Sequence, residues 1–147
     1  MSLINGYVTL AQFKAAHNIT SSDATDDGAI ERIIQAASRW LDDNSGHSFY
    51  PRVETYYLDY PEGRGLMLPD DLLEIISLTN GDGTSITSTY YNLYPQHAYP
   101  KNEIRLKESS TVTWAVDGDS NTEGVIDLVG IFAYHNRYAQ EGWKLGT

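Results

Sequence analysis

The sequence predicts an α+β fold: an N-terminal helical part with two helices, carrying an antiparallel β-sheet or meander as an insertion. Three observations predict it. Apolar residues between Ala29 and Asp43 recur at spacings of three and four, the period of a helix. From Arg52 onward, short runs rich in β-branched and aromatic residues alternate with Gly, Asp and Asn turn signals. The 147-residue length, with 41% hydrophobic and 20% charged residues, is that of one globular domain able to bury a core. The expected division is a single domain over 1–147, with 7–46 helical, 52–134 β-rich and 135–147 a C-terminal tail.

The first helix is expected to begin at Thr9. Thr9-Leu10-Ala11-Gln12 is a capping box, in which the hydroxyl bonds the amide three residues on and Gln12 reaches back. Leu10, Phe13 and Ala16 fall near one face, and His17-Asn18 ends the helix. A polar connection over 20–28 follows, ending in Asp26 and Asp27 as candidate N-caps. The second helix is expected from Ala29 to Asp43. Ile30, Ile33, Ile34, Ala37 and Leu41 form one broad apolar stripe with Trp40 beside it, and Gly46 supplies the left-handed stop.

Past Pro51 the pattern turns to strands. Val53–Leu58 is the first, Leu66-Met67-Leu68-Pro69 a short apolar run, and Leu72–Thr79 another strand. Asn80-Gly81-Asp82-Gly83 is a hairpin signal. Tyr90–Tyr94, Glu103–Leu106, Thr111–Val116 and Val125–Tyr134 continue the series, with a turn at Asp117-Gly118-Asp119. Asn136 to Trp143 leaves room for a short third helix at the C-terminus.

The formal net charge is −10, which disfavours nonspecific nucleic-acid binding while suiting a wall that DNA passes without sticking. No run approaches the ~18 apolar residues of a membrane span, and the N-terminus has no secretory pattern. The absence of cysteine removes disulfides, thiolate metal sites and Cys nucleophiles, and fits a reducing cytoplasm. The 11 tyrosines, against 3 phenylalanines and 3 tryptophans, suit half-buried sheet faces and subunit contacts.

Motifs for catalysis are missing. There is no Gly-x-Ser-x-Gly and no phosphate-binding loop, and the 4 histidines at 17, 47, 97 and 135 form no i, i+3 or i, i+4 pair. Asp117–Glu123 alternates oxygen-bearing side chains as a calcium loop begins. However, Thr122 and Leu128 stand where that motif needs Gly and Glu, so the segment reads as a turn. The basic residues are scattered among the acids. No catalytic residue, metal ligand or cofactor is assigned.

The ordered set of segments resembles the head-to-tail connector (adaptor) proteins of long-tailed bacteriophages and prophages. The resemblance rests on Tyr7-Val8-Thr9-Leu10-Ala11-Gln12-Phe13-Lys14, and on the helix over 29–43 with its ending Asn44-Ser45-Gly46-His47-Ser48-Phe49-Tyr50-Pro51-Arg52. It continues through Glu54–Asp59, Leu66–Pro69, Leu73–Thr79 with Gly81-Asp82-Gly83, Tyr90–Tyr94, Ile104-Arg105-Leu106 and Val125–Tyr134.

The resemblance implies a non-enzymatic virion protein of the neck, assembled in the host cytoplasm. It implies a homo-oligomeric ring of about twelve copies docking beneath the portal protein, joining a stopper or other tail component and extending the channel for DNA. In that family a further helix usually follows the last strand, whereas this chain stops at Thr147, so a neighbouring subunit is expected to cover the helical stripe. The expected interface residues are Ile30, Ile34, Trp40, Tyr134, Tyr138 and Trp143. Three alternatives stay open at this point: another neck part such as a stopper, tail terminator or head-completion protein, a small metal-dependent hydrolase, and a carbohydrate-binding module.

Overall fold

The capping box forms as its sequence predicts. Thr9 Oγ1 accepts the N–H of Gln12 at 3.1 Å, and Gln12 Oε1 accepts the N–H of Thr9 at 2.9 Å, starting α1 (Leu10–Ala16). The structure is a computed structural model that describes residues 5–134. The tail over 135–147, with Tyr138, Trp143 and the expected third helix, lies outside the described residues.

The second helix, α2 (Asp27–Ser45), is longer than expected at both ends. Gly46 ends it in the left-handed region at φ 72°, returning its N–H to Asp42 O at 3.0 Å. Its start differs from the expectation. Asp26 occupies the cap position without a side-chain capping bond, and Asp27 pairs with the ammonium of buried Lys14. Lys14 also donates to the carbonyl of Asp23 at 2.6 Å, so a cation from α1 gathers the connection that the acids alone were expected to cap.

The strands are β1 (Arg52–Leu58), β2 (Gly65–Thr79), β3 (Tyr91–Tyr94), β4 (Lys101–Leu106) and β5 (Ile126–Phe132). They form one antiparallel sheet in the order β1-β5-β2-β4-β3, and this sheet dominates the described residues. The meander expectation is therefore corrected. The last strand enters between the first two, because β5 is buried or half-buried at every position and a central strand covers both of its faces.

The two short runs around Pro69 are also one 15-residue strand. Pro69 falls in the register shift between Met67 and Leu72, where the missing N–H breaks no ladder bond to β4.

That long strand must bend. Asp127 of β5 pairs with Tyr57 on one side and Thr79 on the other, so those two residues lie level across the sheet. In a flat sheet, Gly65 would lie about 46 Å back from Thr79, at ~3.3 Å per residue. The chain from Tyr57 to Gly65 spans at most about 29 Å. The sheet consequently rolls over itself at the bulged middle of β2, bringing Leu66, Ile104 and Leu106 into one core with Leu72, Leu78, Ile126, Leu128 and Phe132.

The segment Thr111–Val116 forms no strand, contrary to expectation. It instead plugs the rolled sheet with Val112 and Trp114, whose indole N–H donates to Arg64 O at 2.9 Å. Asn80 holds it in place: its Nδ2 donates to Thr113 O at 2.9 Å, and its Oδ1 accepts the N–H groups of Ala115 at 2.8 Å and Gly81 at 3.0 Å. Gly81 is required there, since a Cβ would lie 2.1 Å from Ala115 O.

Candidate interaction surface

The apolar face of α2 divides in two. Ile30, Ile34 and Ser38, spaced by one helical turn, are buried; Ser38 bonds the carbonyl of Ile34 at 2.7 Å and accepts the N–H of Tyr7 at 3.0 Å. About 100° around the helix, Ala29, Ile33, Ala36, Ala37 and Trp40 form a second stripe that faces solvent. Ile33 is 61% exposed, Trp40 62% and Leu41 45%. Scattered exposed apolar residues need no explanation, but a continuous stripe along one helix is a candidate contact surface. The sequence signal was the width of the pattern. Its apolar positions span more of the helix than one buried stripe requires.

At the C-terminal end of α2 a polar and aromatic junction joins helix to sheet. Tyr7 donates its phenol to Asp42 and accepts the N–H of Phe49 at 2.9 Å. Burial, reinforced by the Asp42 hydrogen bond, pushes its pKa up to about 12. Arg39 pairs with Asp42 at 3.1 Å and lies over the ring of Tyr50 at 4.4 Å. His47 Nδ1 lies 2.5 Å from Asp71 Oδ2, linking the helix end to β2. Tyr134, one of the expected interface residues, packs its ring on His47 at 4.2 Å and on Phe49 at 5.5 Å, while its N–H bonds Ser48 O at 2.8 Å. It remains 41% exposed, at the edge of the same region.

The expected surface residues are thus distributed unequally. Trp40 and Tyr134 face solvent, and Ile30 and Ile34 are covered. Ile33 and Leu41, two members of the broad apolar stripe that the sequence predicts, are exposed as well.

The first carboxylate of the Asp117–Glu123 segment is engaged in structural bonds. Asp117 Oδ1 accepts the N–H groups of Asp119 at 2.9 Å and Asn121 at 2.8 Å, which uses the carboxylate as a turn scaffold. Among the described residues no group of three His, Cys, Asp or Glu side chains could hold a metal ion. No helix is long and apolar enough to cross a membrane among those residues.

One open groove departs from the acidic surroundings. It encloses about 610 Å³ between Arg64, Asn92, Tyr94, Arg105, Lys107 and Ser109. Strand pairing builds it, because Gly65 aligns with Arg105 and Leu106 N–H bonds Arg64 O at 3.0 Å. Cations that look scattered in sequence are thereby gathered.

In comparisons with known proteins, no family model and no curated protein matches this chain. A solved structure does match. Its title reads "Neck of empty GTA particle computed with C6 symmetry". The chain shares its fold with a protein in that structure. The TM-score is 0.53 at 13% identity, covering 92% of this chain and 69% of the other, and GTA denotes a phage-like gene transfer agent.

Proposed function

We propose that this chain is a structural component of a phage or phage-like neck, a head-to-tail connector that closes into a ring beneath the portal. The observation that carries the reading is the fold shared with a neck protein over nearly the whole described chain. The uncovered α2 stripe supports it, since a ring subunit needs a patch that meets a different patch on its neighbour. In this reading Trp40, Ile33 and Leu41 pack against the next copy, with Tyr134 at the edge, and the acidic surface lets DNA pass without adhering.

The partners are further copies of the chain, the portal protein on one side and a stopper or other tail component on the other. The location is the neck of the virion after assembly in the host cytoplasm. The role is mechanical, with no substrate turned over.

The neighbour's sixfold symmetry favours keeping one second reading. A sixfold axis accommodates rings of six as well as twelve, so a stopper-type neck ring fits it equally.

Size-exclusion chromatography with light scattering, followed by negative-stain imaging with and without a portal protein, tests the proposal. A ring that binds the portal is expected; twelve copies support the adaptor and six the stopper. A protein that stays monomeric and ignores the portal contradicts both.

A further inference from the structure

Any self-assembly of this chain faces an electrostatic problem, because each copy carries a net charge of −10. Like-charged subunits approach only where local charges are complementary. Most cations in the described residues are already spent within the chain. Lys14 pairs with Asp27, Arg39 with Asp42 and Arg52 with Asp70. Lys101 is buried and donates to the carbonyls of Pro95 at 2.5 Å and Gln96 at 3.1 Å.

The groove between β2, β3 and β4 is different. Arg64 is exposed and makes no ion pair among the described residues, and the Lys107 ammonium donates to a carbonyl, Thr89 O, at 2.9 Å. Arg105 is fixed by Glu103 through bonds of 2.8 and 2.9 Å and lies over the Tyr94 ring at 4.3 Å, which holds the floor of the groove rigid. With Arg105 already paired to Glu103, Arg64 and Lys107 are the two cations that the groove leaves available, against one lining acid, Glu108. Asn92 and Ser109 add neutral hydrogen-bonding groups.

We propose that this groove receives a carboxylate-bearing segment of a neighbouring copy of the chain and supplies the attractive contact that ring closure needs. The inference rests on the ring reading above and adds the chemistry of one contact. A second copy is favoured over DNA because it can offer single exposed carboxylates such as Asp23 and Asp26, whereas the few cations of the groove fall short of the row of phosphate contacts that holds a duplex.

The acidic connection around Asp23 and Asp26 is a suitable counterpart, Asp27 being taken by Lys14. Asp23 and Asp26 are exposed, and hydrogen bonds from Thr25 hold the Asp23 carboxyl below the usual carboxylate range. This connection sits at the far end of α2, about 28 Å along the helix from the junction with the sheet at ~1.5 Å per residue. The groove lies on a different part of the molecule, its Arg105 about 13 Å along β4 from the level of Leu72 at ~3.3 Å per residue. Different patches that attract each other make the head-to-tail contact of a cyclic ring.

The test compares the wild-type chain with R64E/K107E by sedimentation velocity, from about 0.05 to about 0.5 M salt. A neutral pair, R64Q/K107Q, covers the case in which charge reversal disturbs folding, with circular dichroism as the check. S85E/N102E, at two exposed positions elsewhere, matches the net-charge change of the neutral pair.

The groove variants are expected to raise the concentration for half-assembly by about tenfold or more, wild-type assembly is expected to weaken with salt, and S85E/N102E is expected to assemble normally. Unchanged assembly of the groove variants overturns the inference and leaves the ring reading intact. Equal weakening by S85E/N102E overturns it in favour of a general charge effect. Binding of a fluorescein-labelled DNA duplex that the groove variants lose, while still assembling, assigns the groove to phosphate instead. A wild-type chain that never assembles overturns the ring reading itself, and self-docking with it.

Discussion

The phenol of Tyr7 donates to the carboxylate of Asp42, 35 residues away in sequence, and so ties the segment before α1 to the end of α2. The same oxygen accepts the Phe49 N–H at 2.9 Å, bringing in the linker to the sheet.

Tyr56 forms a similar bond on the sheet, donating to Asp70 at 2.8 Å beside Arg52. Burial first, then the hydrogen-bonded carboxylate, raises both tyrosine pKa values to about 12. An ionised phenolate is disfavoured in the folded chain, so the folded pKa exceeds the unfolded value of about 10. The stability from these two residues is present below about pH 10 and is lost as the pH rises through about 12. Phenolate absorbance should therefore show late-titrating tyrosines in the native protein, with unfolding free energy falling in the same window. Y7F should remove part of the late phase and cost about 1–3 kcal/mol, because the Phe49 N–H loses its acceptor. All tyrosines titrating together near the ordinary value would refute this.

Asn80 joins the end of β2 to the plug that fills the rolled sheet. It is 3% exposed and bonded at both ends of its amide. N80A should cost about 1–3 kcal/mol by denaturant titration, with the Ala115 N–H left unsatisfied. G81A should be at least as harmful, since its Cβ meets backbone of the plug. A stability close to wild type for both variants would mean that the plug is held by Trp114 alone.

Leu72 is fully buried and Met67 66% exposed on one strand, five residues apart, the first facing the core and the second solvent. L72A should cost about 2–5 kcal/mol, whereas M67A should stay within about 0.5 kcal/mol of wild type. Comparable losses at both positions would contradict the assignment of Leu72 to the core face and Met67 to the solvent face of β2.

Much of this was legible from local chemistry. The Thr9–Gln12 capping box, the Gly46 stop and the positions of β1, β3, β4 and β5 follow from rules acting over a few residues. Strand order did not follow. The placement of β5 between β1 and β2 depends on contacts about fifty to eighty residues apart, and periodicity carries no information about them. Thr111–Val116 was misread because an alternating apolar pattern serves equally for a strand and for a plug that puts Val112 and Trp114 into the core. The candidate surface was half visible. Trp40 and Tyr134 stand out as aromatics, while the exposure of Ile33 and the convergence of Arg64, Arg105 and Lys107 exist only once helix and sheet register are fixed.

The outer α2 stripe contributes little to the stability of the isolated chain on this account, because it touches water. I33D and W40D should leave the monomer's unfolding free energy within about 0.5 kcal/mol of wild type. Both should abolish the assembly measured by light scattering. Loss of folding in either variant would show that the chain itself covers the stripe.

The most direct test is a single-particle reconstruction of the purified chain bound to a portal ring. The account predicts a closed cyclic ring seated on the portal around an open channel, with Ile33 and Trp40 covered by the adjacent subunit. Portal rings with no added density, or a bound chain whose α2 stripe faces solvent, would contradict it.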